Sequence, residues 1–144
     1  MIRLNNEIIA KANVITKNAT DVTIAVVEEY GYPRASTISN IKAEGIETIW
    51  FTTSLDSGKV KCLSKNNKAS ICYHVGADNL TLIGEVEILT DIDTKKQLWV
   101  DWFINHFPGG PEDSNYCVLK FKTLRCVYWI DNQQGEFTFP EDRR

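Results

Sequence analysis

Four consecutive residues near the middle of the chain, Asp56-Ser57-Gly58-Lys59, are of types that together hold an anion. If Asp56 or Ser57 caps a helix that starts behind it, the backbone N–H groups of the first turn point outward, unpaired and partly positive. Lys59 adds a full positive charge at the same end. A lysine in a first turn opposes the helix dipole at a cost of a few tenths to about 1 kcal/mol, and a bound anion reverses the sign of that cost. Gly58 lets backbone and ligand approach closely. Thr52 and Thr53 end the preceding strand with hydroxyl donors on both of its faces. Helix start, lysine and hydroxyls make a phosphate site. The same residues also read as a capped surface helix with a solvated lysine.

Other reactive side chains form no constellation. His74 and His106 could handle protons or be structural, and no acid–base pair or activated nucleophile accompanies them. Cys62, Cys72, Cys117 and Cys126 are widely spaced without a C-x-x-C pair, which reads as buried free thiols, and the histidines lack zinc-ligand spacing. No metal site is expected. Glu85 and Glu87 share one strand face and read as solvated. Neither G-x-G-x-x-G after a strand nor G-x-x-x-x-G-K-[ST] occurs, so those routes to nucleotide binding are absent.

The elements that must position these residues follow from periodicity. Leu4, Ile8, Ile9, Ala12 and Ile15 predict a first amphipathic helix. Strands are predicted at 22–28, 34–41, 48–53, 69–75, 80–89, 115–122 and 125–130, with the brief helix of the anion motif between the third and fourth. The strand at 34–41 puts Ala35, Thr37 and Ser39 on one face, which is either a water-facing edge or a floor under a flat ligand. Gly84 inside a long strand predicts a bulge or bend. Asp93 is the expected N-cap of a helix whose stripe is Leu98, Trp99, Trp102, Phe103 and Phe107, stopped by Pro108-Gly109-Gly110-Pro111. The polar tail 131–144 reads as poorly ordered. Consecutive strands joined by short loops point to a mainly β fold, a six-stranded antiparallel barrel with peripheral helices.

The 144 residues make one domain (1–144), large enough to bury a core without staples. A net charge of -3, with lysines alternating with acids, argues against nucleic acid as a partner. The apolar runs are too short to cross a bilayer and no leader pattern is visible, so the expectation is a cytoplasmic protein without membrane contact.

Three ordered runs carry a resemblance: G-Y-P-x-x-S-T-x-S (31–39), I-W-F-T-T-S-x-x-S-x-K-V (49–60) and N-x-x-A-S-I-C-Y (66–73). With Gly84, Leu89-Thr90-Asp91, Leu98-Trp99, Trp102-Phe103, Phe107-Pro108-Gly109-Gly110, Tyr116 and Tyr128-Trp129, the chain resembles the pyridoxamine-phosphate-oxidase-like FMN-binding split barrels, most of all the bacterial general stress protein branch. The resemblance implies a homodimer with two FMN sites at the subunit interface. It places the phosphate on Thr52, Thr53, Ser57 and Lys59 and lays the ring along Ser36, Thr37 and Ile38. Trp102, Phe107 and Trp129 become candidates for closing the ring's other side from the partner. One departure stands out. Many relatives carry a flavin-contacting arginine where this chain has Ser36, and the nearest arginine is Arg34, two residues earlier on the same strand face. The arginines of true pyridoxamine-phosphate oxidases are not evident. The resemblance thus implies an FMN-dependent oxidoreductase of unknown small-molecule substrate, a non-catalytic flavin-binding stress module, or a barrel for another flat cofactor such as a deazaflavin or haem.

Overall fold

The computed structural model describes residues 6–140. Helix α1 (Asn6–Asn18) buries Ile8, Ala12, Ile15 and Thr16 along one face. Leu4, expected on the same stripe, lies outside the described residues. Seven strands follow: β1 (Asp21–Val27), β2 (Pro33–Glu44), β3 (Thr48–Ser54), β4 (Lys68–Val75), β5 (Asp78–Leu89), β6 (Tyr116–Ile130) and β7 (Gln133–Thr138). They pair antiparallel in the order β3-β2-β1-β4-β5-β6-β7, and a β3–β6 pairing closes the first six into a barrel. The mainly β, six-stranded antiparallel barrel expected from the sequence is thus observed.

The 15-residue β6 makes closure possible. Its first half pairs with β3 as far as Lys122, and its second half pairs with β7 from Arg125 onward. The two final strands expected at 115–122 and 125–130 are therefore one strand with an irregularity between them. Opposite it, Ile83 pairs with Arg125 and Gly84 with Thr123, leaving Leu124 bulged. Gly84 is required there, because a Cβ on it would lie 2.9 Å from the Lys122 carbonyl carbon and 2.9 Å from Phe121 Cζ. The predicted bend at Gly84 is this bulge.

The stretch 133–138, within the tail expected to be poorly ordered, is a strand. Asp131 and Asn132 both adopt positive φ, 53° and 59°, and turn the chain back onto β6 as a two-residue hairpin loop. Phe137 and Phe139 stack edge to face at 4.8 Å beneath it.

Alternation along the strands fills the barrel interior with Ile24, Ile49, Phe51, Ile71, Leu80, Leu82, Leu119, Phe121 and Ile130. A second core lies on the barrel's outer surface: Phe103, Phe107, Tyr116 and Val118, packed with Ile41, Trp50, Leu89, Leu98 and Trp99. The segment covering that surface differs from the predicted helix. Helix α3 (Ile92–Gln97) is capped by Asp91, whose carboxylate accepts from Thr94 N at 3.0 Å, and Asp93 sits in its first turn. The chain then opens at Val100 (φ −123°, ψ 138°) and continues as a 3-10 turn, Asp101–Asn105. Trp99, Phe103 and Phe107 each reach the Tyr116 ring, at centroid separations of 5.5, 5.9 and 5.1 Å. Packing around one ring overrides regular helical periodicity here. Among the described residues no helix is long and apolar enough to cross a membrane.

Candidate functional site

Helix α2 (Gly58–Lys65) begins where the sequence predicts, with the Ser57 side chain accepting from Val60 N at 3.3 Å. Beside its first turn lies a cavity of about 220 Å³. One wall is the outer face of β2 and β3, where Ser39 pairs with Thr52, and it presents the hydroxyls of Thr37, Ser39, Thr52 and Ser54. Ile38 and Thr53 also line it, and Lys59 stands at its end. The opposite wall is Trp102 and His106, backed by the buried Phe103 and Phe107. Trp102 meets Phe103 edge to face at 4.7 Å and His106 at 5.8 Å.

The positive end is stronger than the motif alone implies. Arg34 reaches from β2 to the start of α2, where a Cβ on Gly58 would lie 2.8 Å from its Cζ and 2.9 Å from Nη2. Burial, with Arg34 as a second cause, holds the Lys59 ammonium below the usual lysine range. No carboxylate among the described residues pairs with Arg34 or Lys59. Two unpaired like charges at a helix start favour an anion between them.

The structure thus brings Thr37, Ile38, Thr52, Thr53, Lys59, Trp102 and Phe107 to one cavity. Ser36 is half-buried on the same strand face as Arg34 and does not line it, and Ser57, whose Oγ accepts in the helix cap, does not line it either. The resemblance assigns the aromatic cover to a partner, yet Trp102 and Phe107 wall the cavity of their own chain. Ser39 joins it on the strand face read as a possible floor under a flat ligand, while Ser54 and Phe103 join it unforeseen, Ser54 signalled only by strand alternation with Thr52. No group of three or more His, Cys, Asp or Glu among the described residues could hold a metal ion. Burial pushes the Cys117 thiol up to about 11 and that of Cys126 to about 12, so neither offers a thiolate near neutral pH.

The pyridoxamine 5'-phosphate oxidase-like family model matches residues 11–140. The chain belongs to that family. Among solved structures it is similar to a Clostridium acetobutylicum protein related to general stress protein 26 of B. subtilis, with 26% identity and a TM-score of 0.85 over 94% of this chain and 97% of that one. An FMN-binding, pyridoxamine 5'-phosphate oxidase-related protein from Nostoc punctiforme shares the fold at 14% identity and TM-score 0.69, covering 96% and 98%. So does a heme-binding protein from Mycobacterium smegmatis, at 16% and 0.71, covering 96% of this chain and 60% of that one. No curated protein matches.

In this family member Trp129 sits apart from the cavity. It is exposed on β6 opposite Asn79, eleven residues along that strand from Val118, the neighbour of Thr52 in the cavity wall. At about 3.3 Å per residue that is about 36 Å of strand, too far for it to cover its own chain's cavity.

Proposed function

We propose that the cavity beside α2 binds FMN and that the protein is a flavin-dependent oxidoreductase acting on a small molecule. The observation that carries this reading is the unpaired Lys59 at the end of a hydroxyl-lined and aromatic-walled cavity, with Arg34 also unpaired against Gly58 at the same helix start. Arg34, Lys59 and the α2 N-terminus would hold the phosphate, with Thr52 and Thr53 beside it. Thr37, Ile38 and Trp102 would bound the ring. Bound flavin supplies the electron-transfer chemistry, which fits a site without an acid–base pair of its own. His106 is the one titratable side chain on the ring wall and would hold or move a proton there.

The reading includes a second copy of the chain. A cavity of 220 Å³ falls below the range of about 300–1,000 Å³ usual for small-molecule sites, so one chain leaves a flavin half covered. Register places Thr37, Thr23, Cys72, Thr81 and Val127 in one row across five strands, with Ala35, Ala25, Ser70 and Ile83 in the next. These two rows are uncharged across β2, β1, β4 and β5, with Arg125 ending the second row and Asp21 flanking the first beside Ser39; they start at the cavity and lead toward Trp129. A two-fold packing on this face would bring the partner's Trp129 within reach of the ring.

Titration of purified protein with FMN, followed by absorbance and fluorescence with sedimentation in parallel, tests this. A perturbed flavin spectrum at micromolar protein, weakened in Lys59→Ala, and a dimer are expected. An unperturbed spectrum, or FMN bound to a monomer, would refute the corresponding half. Bound flavin that NADH, NADPH and dithionite-poised donors all fail to turn over would favour the non-catalytic module.

A further inference from the structure

Lys95 is buried, at 6% exposure, and no carboxylate among the described residues pairs with it. Its Nζ donates to the Asp113 carbonyl at 2.9 Å and lies 5.2 Å from the centroid of the Tyr116 ring. In return the Tyr116 hydroxyl donates to the Lys95 carbonyl at 2.9 Å. These two bonds fasten the start of the aromatic segment to its end. Residues 95–116 become a closed loop with Trp99, Trp102, Phe103, His106 and Phe107 on its arc.

The fastening continues into the other side of the cavity. The Asp113 carboxylate accepts from Gly109 N at 2.9 Å and from Asn115 N at 2.9 Å. Asn115 then accepts twice from the turn ahead of α2, its carbonyl from Leu55 N at 2.8 Å and its Oδ1 from Asp56 N at 3.2 Å. Leu55 and Asp56 lead directly into Ser57, Gly58 and Lys59. One short chain of hydrogen bonds therefore joins the aromatic wall to the cationic end.

We propose that Lys95 is the positioning residue of this site. Through Asp113 and Asn115 it sets where the Trp102–His106 wall stands relative to the first turn of α2. A buried ammonium suits that task better than an apolar side chain. Its hydrogen bond to a carbonyl is directional, and a cation left unpaired in the interior is strongly disfavoured, so the loop has one closed arrangement. Networks of packed and hydrogen-bonded groups carry coupling of this kind.

The test uses Lys95→Met, which keeps bulk and removes the donor, with Tyr116→Phe as a second variant that keeps the ring and drops its bond to the Lys95 carbonyl. Two readouts are taken well below each variant's melting midpoint. Acrylamide quenching of tryptophan emission needs no flavin, and it is expected to rise as Trp99 and Trp102 loosen. The dissociation constant for FMN is expected to weaken about tenfold in Lys95→Met, and less in Tyr116→Phe. Its use rests on the cavity being the flavin site. If wild-type protein binds no FMN, that functional reading fails while quenching still decides the role of Lys95. A lowered midpoint with quenching and FMN affinity both at wild-type values would make Lys95 merely structural and overturn the proposal. If Lys95→Met does not fold, wild-type values for both readouts in Tyr116→Phe overturn it equally.

Discussion

Replacing Gly58 with alanine should move stability and ligand affinity in opposite directions. Gly58 is the first residue of α2 and does not need a positive φ, so alanine is conformationally admissible there. Within helices alanine is favoured over glycine by about 0.5–1 kcal/mol, and a first-turn position takes the lower end. At about 2–4 °C per kcal/mol for a domain near this size, the gain is about 1–2 °C. The new methyl, however, falls within 2.8 Å of Arg34 Cζ and 2.9 Å of Nη2, closer than ordinary contact. The flexible side chain yields at small cost, and the guanidinium leaves the helix start. A hydrogen bond to a charged group contributes about 1.5–3 kcal/mol, so losing its lower end weakens FMN binding roughly tenfold. Riboflavin lacks the phosphate and should bind Gly58→Ala as it binds the parent. Thermal melts and parallel fluorescence titrations with FMN and riboflavin read both quantities. Unchanged FMN affinity would show that Arg34 has no part in the grip, and an equal loss for riboflavin would show that the methyl simply fills the cavity.

Two further outcomes follow from the fold. Gly84→Ala should destabilise by about 3 kcal/mol, combining overpacking against Phe121 and the Lys122 backbone with lost ladder bonding, and lower the melting midpoint by roughly 6–12 °C; a shift under 2 °C would contradict the close approach. Hydrogen bonds from Thr94 hold the Asp91 carboxyl below the usual carboxylate range, and those from Asn115 and Gly109, with Lys95 nearby, do the same for Asp113. Because these folded-state values lie below the unfolded one near about 3.9, their stabilisation is complete above it and is lost as pH falls through the folded values. Tryptophan quenching should therefore be flat from neutral pH down to about 5 and rise below about 4, before global unfolding; loosening on raising the pH instead would refute this.

What the sequence made legible was local. The anion motif occupies eight residues, 52–59, and its cap, strand end and lysine are all where spacing placed them. Strand positions were readable because alternation marks them, and the Gly84 bulge because a glycine inside an apolar strand has few other reasons to be there. The aromatic segment departs from the expected helix because its geometry is set by Tyr116, far along the chain. The four-residue spacing of Trp99, Phe103 and Phe107 imitates a helix, while the chain opens at Val100 and only Phe103 of the three lies in the 3-10 turn. Strand β7 was missed for the opposite reason. Its polar composition hides it, and the signal was the Asp131-Asn132 pair, which tolerates the positive φ of a two-residue hairpin loop.

The placement of Arg34 separates grip from tuning. Ser36 and Arg34 share a strand face two residues apart, so an arginine moved from 36 to 34 carries its charge about 6.7 Å along the strand. At 34 the guanidinium rests on Gly58 and faces Lys59, the phosphate end under the proposed reading. Under that reading affinity need not fall with such a move, because the charge would still act on the ligand, now on its most anionic group. The ring end does change. A cation beside a flavin ring favours its reduced, anionic form, whereas here the ring wall offers Thr37, Ile38, Trp102 and His106, with no fixed positive charge. Under the proposed reading, the same number of arginines would hold the phosphate firmly and leave the ring's electron affinity to hydroxyls, one indole and an imidazole.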